Sequence, residues 1–312
     1  MRVATIDIGT NTVLLLVAER RDDGLLTAVE ERATITRLGE GVDTHRRLSP
    51  RAVDRTTSCL DEYAGIVRGL DVDRVAVVGT SAMRDAAGGE ELVAHVRSAF
   101  GVPVRVVSGH EEARLTFRGA LGGLGAVDRA SLAVFDVGGG STEVVFGSVS
   151  DGRQTLEYSA SFDVGSVRLT ERHVTQDPPT SGERDALSRA ARTAFASVPS
   201  LPSGHPPIGI AGTMTTLAAV SLALAPYDGA RVHGHTMRRE EVRHVVDRLA
   251  CQDLDSRRRV VGMEPKRADV IVAGGCLALA LLDHWSANEV IVSDRGVRWG
   301  LADELAEEHG RA

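Results

Sequence analysis

The stretch "LAVFDVGGGSTEVVFGSV", Leu132 to Val149, decides the fold. Two apolar runs flank three glycines, a Ser-Thr pair and a glutamate, and an aspartate lies near the end of the first run. The pattern predicts strand, small-residue turn, strand. Such a turn suits a tight hairpin and equally a backbone cradle for an anion, because glycine permits both. The rest of the chain bears on the choice. "VATIDIGTNTVLLLVAE" (3–19) aligns with "LAVFDVGGGSTEVVFGS" (132–148) without a gap, which puts Asp7 on Asp136, Gly9 on Gly138 and Thr12 on Ser141 at one constant offset. Both copies continue into a third strand, "TAVEERATITRLGEG" and "TLEYSASFDVGSVRL". The chain therefore reads as two copies of one β-β-β-α unit.

A duplicated turn favours the cradle. Two such turns facing each other would grip a phosphate chain from both sides, through backbone N–H groups and neighbouring hydroxyls. The donors expected are Gly9, Thr10, Asn11 and Thr12 in the first turn, and Gly138, Gly139, Gly140, Ser141 and Thr142 in the second. Asp7, Asp136 and Glu143 are oxygen donors suited to Mg²⁺ or another divalent cation, which needs one or two carboxylates beside waters and phosphate oxygens. A turn-capping role for Asp7 is the alternative.

Strands are predicted at 2–8, 13–19, 26–36, 74–79, 103–107, 131–137, 142–149, 154–163, 207–211 and 289–293. Helices are predicted near 50–69, 88–100, 109–121, 182–197, 213–224, 238–251, 256–262, 266–284 and 295–308. Ser49 and Pro50 signal one helix start, and the Ser-x-x-Glu of "SGHE" another. Strands alternating with helices indicate an α/β architecture. A chain of 312 residues suggests two domains. The glycine cluster "ALGGLGAVD" (120–128) marks their boundary, with a ligand-binding cleft expected between the halves.

Composition narrows the partners. The net charge of −7 gives no general attraction for a nucleic acid polymer, so an anionic ligand must be held locally. No apolar run is long enough to span a membrane, and "RVATIDIGTNTVLLLVA" reads as a first core strand rather than a signal peptide. Cys59, Cys251 and Cys276 are scattered, which argues against a zinc site or disulfides and fits a cytoplasmic protein with three small buried thiols. Lys266 is the only lysine among 36 basic residues. The arginine runs at 20–21, 46–47 and 257–259 read as solvated faces. His233 and His235 lack ligand spacing and read as structural or hinge residues.

The pattern "DIGTNT…DVGGGSTE" resembles the actin-like ATPase superfamily, whose members include actin, hexokinase and heat-shock chaperones. More narrowly, the sequence resembles the exopolyphosphatase and guanosine pentaphosphate phosphatase family, Ppx/GppA. The blocks that carry the likeness are "IDIGTNT" (6–12), "GTSAMRDA" (79–86), "VSGHEEARLTFRGA" (107–120), "FDVGGGSTEVVFG" (135–147), "GIAGTMTTLAA" (209–219), "VHGHTM" (232–237), "GMEPKRADVIVAGG" (262–275) and "SDRGVRWGL" (293–301). The likeness implies two duplicated ribonuclease H-like (actin-like ATPase) domains. Domain I would be 1–124 with a C-terminal helix at about 297–312, and domain II 125–296, in the short two-domain form.

The resemblance also implies roles. Glu112 in "SGHEEAR" falls on the family's catalytic base, whereas by itself it would read as a first-turn acid favoured by the helix dipole. Asp136, Gly138, Ser141 and Glu143 fall on a phosphate and metal motif. Arg84 falls on an arginine near the phosphate chain, and Gly212 and Thr213 on a third glycine turn. Lys266 and Arg267 are candidates for a distal grip on a long anion, or else solvated surface. The implied activity is metal-dependent hydrolysis of the terminal phosphoanhydride of polyphosphate, with pppGpp as the alternative substrate, by a homodimer. Trp299 departs from the family pattern. An actin-like kinase would need an adenosine pocket and an acceptor, and a non-catalytic sensor would bind without turnover.

Overall fold

The computed structural model describes residues 1–21, 24–124, 131–150, 153–202 and 205–309. Residues 125–128 of the expected boundary segment 120–128, positions 203–204 of the loop 199–207, and residues 310–312 of the C-terminal helix lie outside the described residues. The chain separates into two compact units, Met1–Gly119 with Val297–Ala312, and Ala120–Gly296.

The first unit contains strands β1 (Arg2–Ile8), β2 (Thr12–Arg20), β3 (Leu26–Ile35), β4 (Arg74–Gly79) and β5 (Val104–Val106). Its helices are α1 (Val42–His45), α2 (Pro50–Gly69), α3 (Ser81–Asp85), α4 (Glu90–Phe100), α5 (Gly109–Ala120) and, from the far end of the chain, α13 (Val297–His309). The sheet order is β3-β2-β1-β4-β5, an antiparallel meander continued by two parallel strands. Alternation along β1 sorts its side chains between two cores. Ala4, Ile6 and Ile8 join Leu60 and Tyr63 of α2 and Val96 of α4. Val3 joins Trp299 and Ala302 of α13 on the other face. Trp299 is thus a packing residue, only 5% exposed.

The second unit repeats this plan. Strands β6 (Ser131–Val137), β7 (Thr142–Ser150), β8 (Arg153–Phe162), β9 (Ile208–Ile210), β10 (Thr236–Arg238) and β11 (Glu289–Val292) run in the order β10-β11-β9-β6-β7-β8. Read from the other end, β8-β7-β6-β9-β11 matches β3-β2-β1-β4-β5 strand for strand, with β10 added at the edge. Even the irregularities recur. Strand β2 bulges against β3 between Val17 and Ala18, and β7 against β8 between Phe146 and Gly147, the positions that the sequence alignment makes equivalent. The helices are α6 (Ser166–His173), α7 (Ser181–Ala194), α8 (Ala211–Ser221), α9 (Gly229–Val232), α10 (Arg239–Ala250), α11 (Leu254–Arg258) and α12 (Ile271–His284). Helix α12 is apolar nearly all round and is buried against α7, α10, α6 and α8. A methyl at Gly275 would lie 2.3 Å from a Val246 methyl, so the glycine lets α10 approach.

Several sequence expectations are corrected. Helices α1, α3, α6 and α9 and strand β10 are not among the expected elements, because each is too short for a periodic pattern to stand out. The helix expected at 256–262 is α11, and that expected at 266–284 begins at Ile271, after a 3-10 turn at Pro265–Arg267. Arg257 is no solvated charge: it is 3% exposed, donates to Ala268 O at 2.7 Å and pairs with Asp177. Cys59 is buried, but Cys251 is exposed. Among the described residues no helix is long and apolar enough to cross a membrane.

Candidate active site

In each unit the features of interest gather at the carboxyl ends of the parallel strands, where open α/β sheets place their ligands. In unit 1, Gly9 follows β1 and its amide bonds back to Thr12 O at 3.1 Å. In unit 2, Gly138 follows β6 and its amide bonds to Ser141 O at 3.1 Å. Both turns are too tight for a side chain at the first position: a methyl would lie 2.9 Å from Thr12 O at Gly9 and 3.0 Å from Ser141 O at Gly138. The first glycine amide of each turn is therefore spent within the turn. Among the described residues the amides of Thr10 and Asn11, and those of Gly139, Gly140 and Ser141, make no backbone hydrogen bond.

The hydroxyls divide similarly. Thr142 is fully buried and donates to Val164 O at 2.6 Å, and Thr213 donates to Val137 O at 3.0 Å. Both brace the turn through these bonds. Thr10, Asn11, Thr12 and Ser141 are buried as well.

Glu112 lies in the first turn of α5, its amide donating to Ser108 O at 2.8 Å, while the next-door Glu111 amide donates to Ser108 Oγ at 3.2 Å. The Glu112 side chain is buried and meets Arg84 of α3, whose Nη1 donates to Glu112 Oε2 at 3.0 Å and to Val107 O at 3.0 Å. Position follows from strand pairing: Val107 N bonds Gly79 O, so the segments leaving β4 and β5 run side by side and bring 84 next to 112. Glu111 instead pairs with Arg105 at 3.3 Å.

In unit 2, Asp136 and Glu143 are direct cross-strand partners on β6 and β7, so their side chains share one face. The duplication makes Glu143 informative, since the equivalent pair on β1 and β2 is Asp7 with Leu14. Glu143 is 1% exposed and accepts Ser161 Oγ at 2.7 Å. Arg267 packs its guanidinium on Gly212, where a methyl would lie 2.1 Å from it. Burial pushes the Arg267 guanidinium down from the ordinary arginine value, opposed by the charges of Glu264, Tyr227 and Asp136. Arg267 and Gly212 thus belong with Asp136, while Lys266 is exposed. Ala211, just before Gly212, has a φ of 64°, a left-handed conformation costly for alanine and common at functional turns. Apolar periodicity could not flag it. His233 Nδ1 meets Ser293 Oγ and Asp294 Oδ1, both at 3.2 Å, within unit 2.

Among the described residues no three His, Cys, Asp or Glu side chains gather as a metal cluster. The buried carboxylates of Asp136 and Glu143 still fit a hard divalent cation, which takes oxygen ligands and completes its shell with water and phosphate.

The family model described as the Ppx/GppA phosphatase family matches residues 16–309. This chain belongs to the Ppx/GppA phosphatase family. Exopolyphosphatase 2 of Mycobacterium tuberculosis is 37% identical, covering 98% of both chains. The crystal structure of the Aquifex aeolicus Ppx/GppA family member superimposes with a TM-score of 0.83 at 32% identity, covering 100% of this chain and 99% of that one. A Vibrio atlanticus guanosine-5'-triphosphate,3'-diphosphate pyrophosphatase is 26% identical over 98% of this chain but only 59% of its own length. The fold is thereby that of two-domain Ppx/GppA proteins, the duplicated α/β architecture expected from the sequence.

Proposed function

We propose that this Ppx/GppA chain is an exopolyphosphatase that hydrolyses the terminal phosphoanhydride of polyphosphate and releases orthophosphate. The observation that carries the reading is the buried Glu112 carboxylate, held by Arg84 at the carboxyl end of the unit 1 sheet. Such a group can accept a proton from an attacking water. Arg84 fixes Oε2, so the carboxylate has one orientation rather than several. In unit 2 the amides of Gly139, Gly140 and Ser141, with Arg267, donate to phosphate oxygens, and within unit 1 the amides of Thr10 and Asn11 offer donors of the same kind. In unit 2, Asp136 and Glu143 would hold a divalent cation, and Asp7 is the carboxylate that the duplication places at the equivalent position of unit 1. When bound, that ion supplies neutralisation of charge on the transferred phosphoryl group.

The second reading is hydrolysis of pppGpp at its 5′ end, favoured by the Vibrio relative. Both substrates end in the same bond, and both suit a site that grips only phosphates. The test is phosphate release from polyphosphate and from pppGpp by wild type and Glu112→Gln. Preference for polyphosphate supports the first reading, and preference for pppGpp the second. Glu112→Gln should lose ~10²–10⁴ in kcat on the better substrate. Full turnover by that variant would remove Glu112 as the base. A cytoplasmic homodimer, with no nucleic acid polymer and no membrane as partner, completes the proposal. The scattered thiols and the net charge of −7 support the location and the partners, and the family likeness supports the dimer.

A further inference from the structure

The carbonyl side of the unit 2 turn is as closely controlled as its amide side. Gly138 O accepts both the amide of Ser166 at 2.9 Å and its Oγ at 3.1 Å. Gly139 O accepts the amides of Val167 at 2.9 Å and Arg168 at 3.2 Å. Two bonds on each oxygen occupy both lone pairs of both carbonyls. A trans peptide is planar, with its C=O and N–H pointing in opposite directions. Drawing Gly138 O onto the start of α6 therefore turns the Gly139 amide away from that helix. Drawing Gly139 O there does the same to the Gly140 amide. The same segment is tied to the far end of the turn, because Val164 O receives the Thr142 hydroxyl.

Gly165 makes this approach possible. Its backbone is extended, at φ −139°, so conformation does not require glycine. Space does: a methyl there would lie 2.4 Å from the carbonyl carbon and oxygen of Gly139 and 2.6 Å from the carbonyl carbon of Gly140. Ser166 is 4% exposed, and its Cβ lies against Gly274 of α12, so the hydroxyl is held where it is. In unit 1 the equivalent turn is anchored by backbone amides: Gly39 N bonds Thr10 O, and the amides of Thr36 and Arg37 bond Asn11 O. The side-chain contribution from Ser166 belongs to unit 2.

We infer that the segment Val164–Arg168 sets the aim of the phosphate-binding amides of Gly139 and Gly140, with Gly165 and Ser166 as positioning residues. The inference rests on the proposed role of that turn in phosphoanhydride hydrolysis. Neither residue touches substrate. Each acts by keeping two donors preorganised for charge that develops in the transition state, where a small misplacement is costly.

The test uses the full chain as wild type, Ser166→Ala and Gly165→Ala. One arm follows the Gly139 and Gly140 amide resonances while tripolyphosphate is added with Mg²⁺. The other measures kcat, KM and Tm on polyphosphate and pppGpp. In wild type both amides should shift. In Ser166→Ala those shifts should fall by more than about half. Its kcat should drop roughly ten- to a hundredfold with KM within about threefold, the signature of an interaction realised in the transition state. A purely structural role would lower Tm and leave kcat per folded molecule intact, which overturns the inference. So does a wild type whose two amides ignore tripolyphosphate. Gly165→Ala should lose more activity than Ser166→Ala if it folds, and Ser166→Ala decides the matter if it does not. A wild type that shows the amide shifts yet releases no phosphate from either substrate sinks the proposed function. The positioning role would then still stand or fall on the Ser166→Ala amide shifts.

Discussion

At the scale of single residues, the Arg84–Glu112 pair governs the chemistry. Arg84 donates both to Glu112 Oε2 and to Val107 O, so it links the carboxylate to the backbone leaving β5. Arg84→Ala should therefore lower kcat by loosening Glu112. In a Glu112→Gln background the same change should cost little further, since residues acting as a unit are not additive. Additive losses in the double variant would mean that Arg84 acts separately, for instance on phosphate directly. A second expectation concerns the cation. Asp136→Asn should raise the Mn²⁺ concentration needed for half-saturation, read by the electron paramagnetic resonance of free Mn²⁺. An unchanged titration would take Asp136 out of the ligand set. Legibility varies among these residues. Asp136 and the glycines are readable because the same turn occurs once before in the chain, at 7–12, and Glu143 because a carboxylate follows the second turn. The mutual contact of Arg84 and Glu112 arises from β4 and β5 lying side by side, which no local pattern announces. Ser166 is invisible for a simpler reason: an ordinary serine becomes informative only once its hydroxyl is seen on Gly138 O.

At the scale of elements, helix starts are the most readable feature and also carry a pH dependence. Ser49 caps α2 with Pro50 at the first position, as the sequence suggests. Helix α7 opens with a full capping box, in which Thr180 Oγ1 accepts the Glu183 amide and Glu183 answers to the Thr180 amide. Glu183 also takes the amides of Thr175 and Gln176, so one carboxylate organises the loop before α7. Backbone hydrogen bonds from Thr175 and Thr180, with the Thr175 hydroxyl, hold its pKa down from 4.5 to about 2. A depressed carboxylate contributes stability that is present above its unfolded value and lost as pH falls through its folded one. The Tm advantage of wild type over Glu183→Gln should accordingly be full at neutral pH and shrink between pH 4.5 and about 2. A constant difference across that window would show that the charge is not what organises the loop. The short helix α6 shows the opposite case. Its buried side chains are Ser166, Arg168 and Leu169, so a single apolar residue marks its inner face, and eight residues are too few to stand out as an apolar run.

At the scale of the molecule, duplication explains the architecture and leaves one asymmetry. Sheet order and bulge positions both repeat, so reading one half predicts most of the other. Unit 1, however, is completed by α13, which enters it only after the chain has built the whole of unit 2. Its inner side fills the sheet face formed by Val3, Leu16 and Ala18, with Trp299, Ala302 and Leu305 as the inserted groups. It also runs tightly against α5: a methyl at Gly300 would lie 2.0 Å from Leu115 O, a backbone atom that cannot swing aside. Charges latch the same pair of helices, with Arg118 to Asp303 and Arg114 to Glu304. Removing the indole should thus open a cavity in unit 1. Trp299→Ala is expected to cost about 3–5 kcal/mol, the usual range for emptying a large buried aromatic site. Hydrogen exchange locates the damage. Amides of β1 and β2 should lose protection, because the indole packed on them has gone, whereas α12 keeps its own apolar surroundings in unit 2. Equal loss of protection in α12 would show that the two cores do not unfold as separate cooperative units. Gly300→Ala should act in the same direction by forcing α13 off α5, and without an aromatic cavity its loss would point to helix spacing alone.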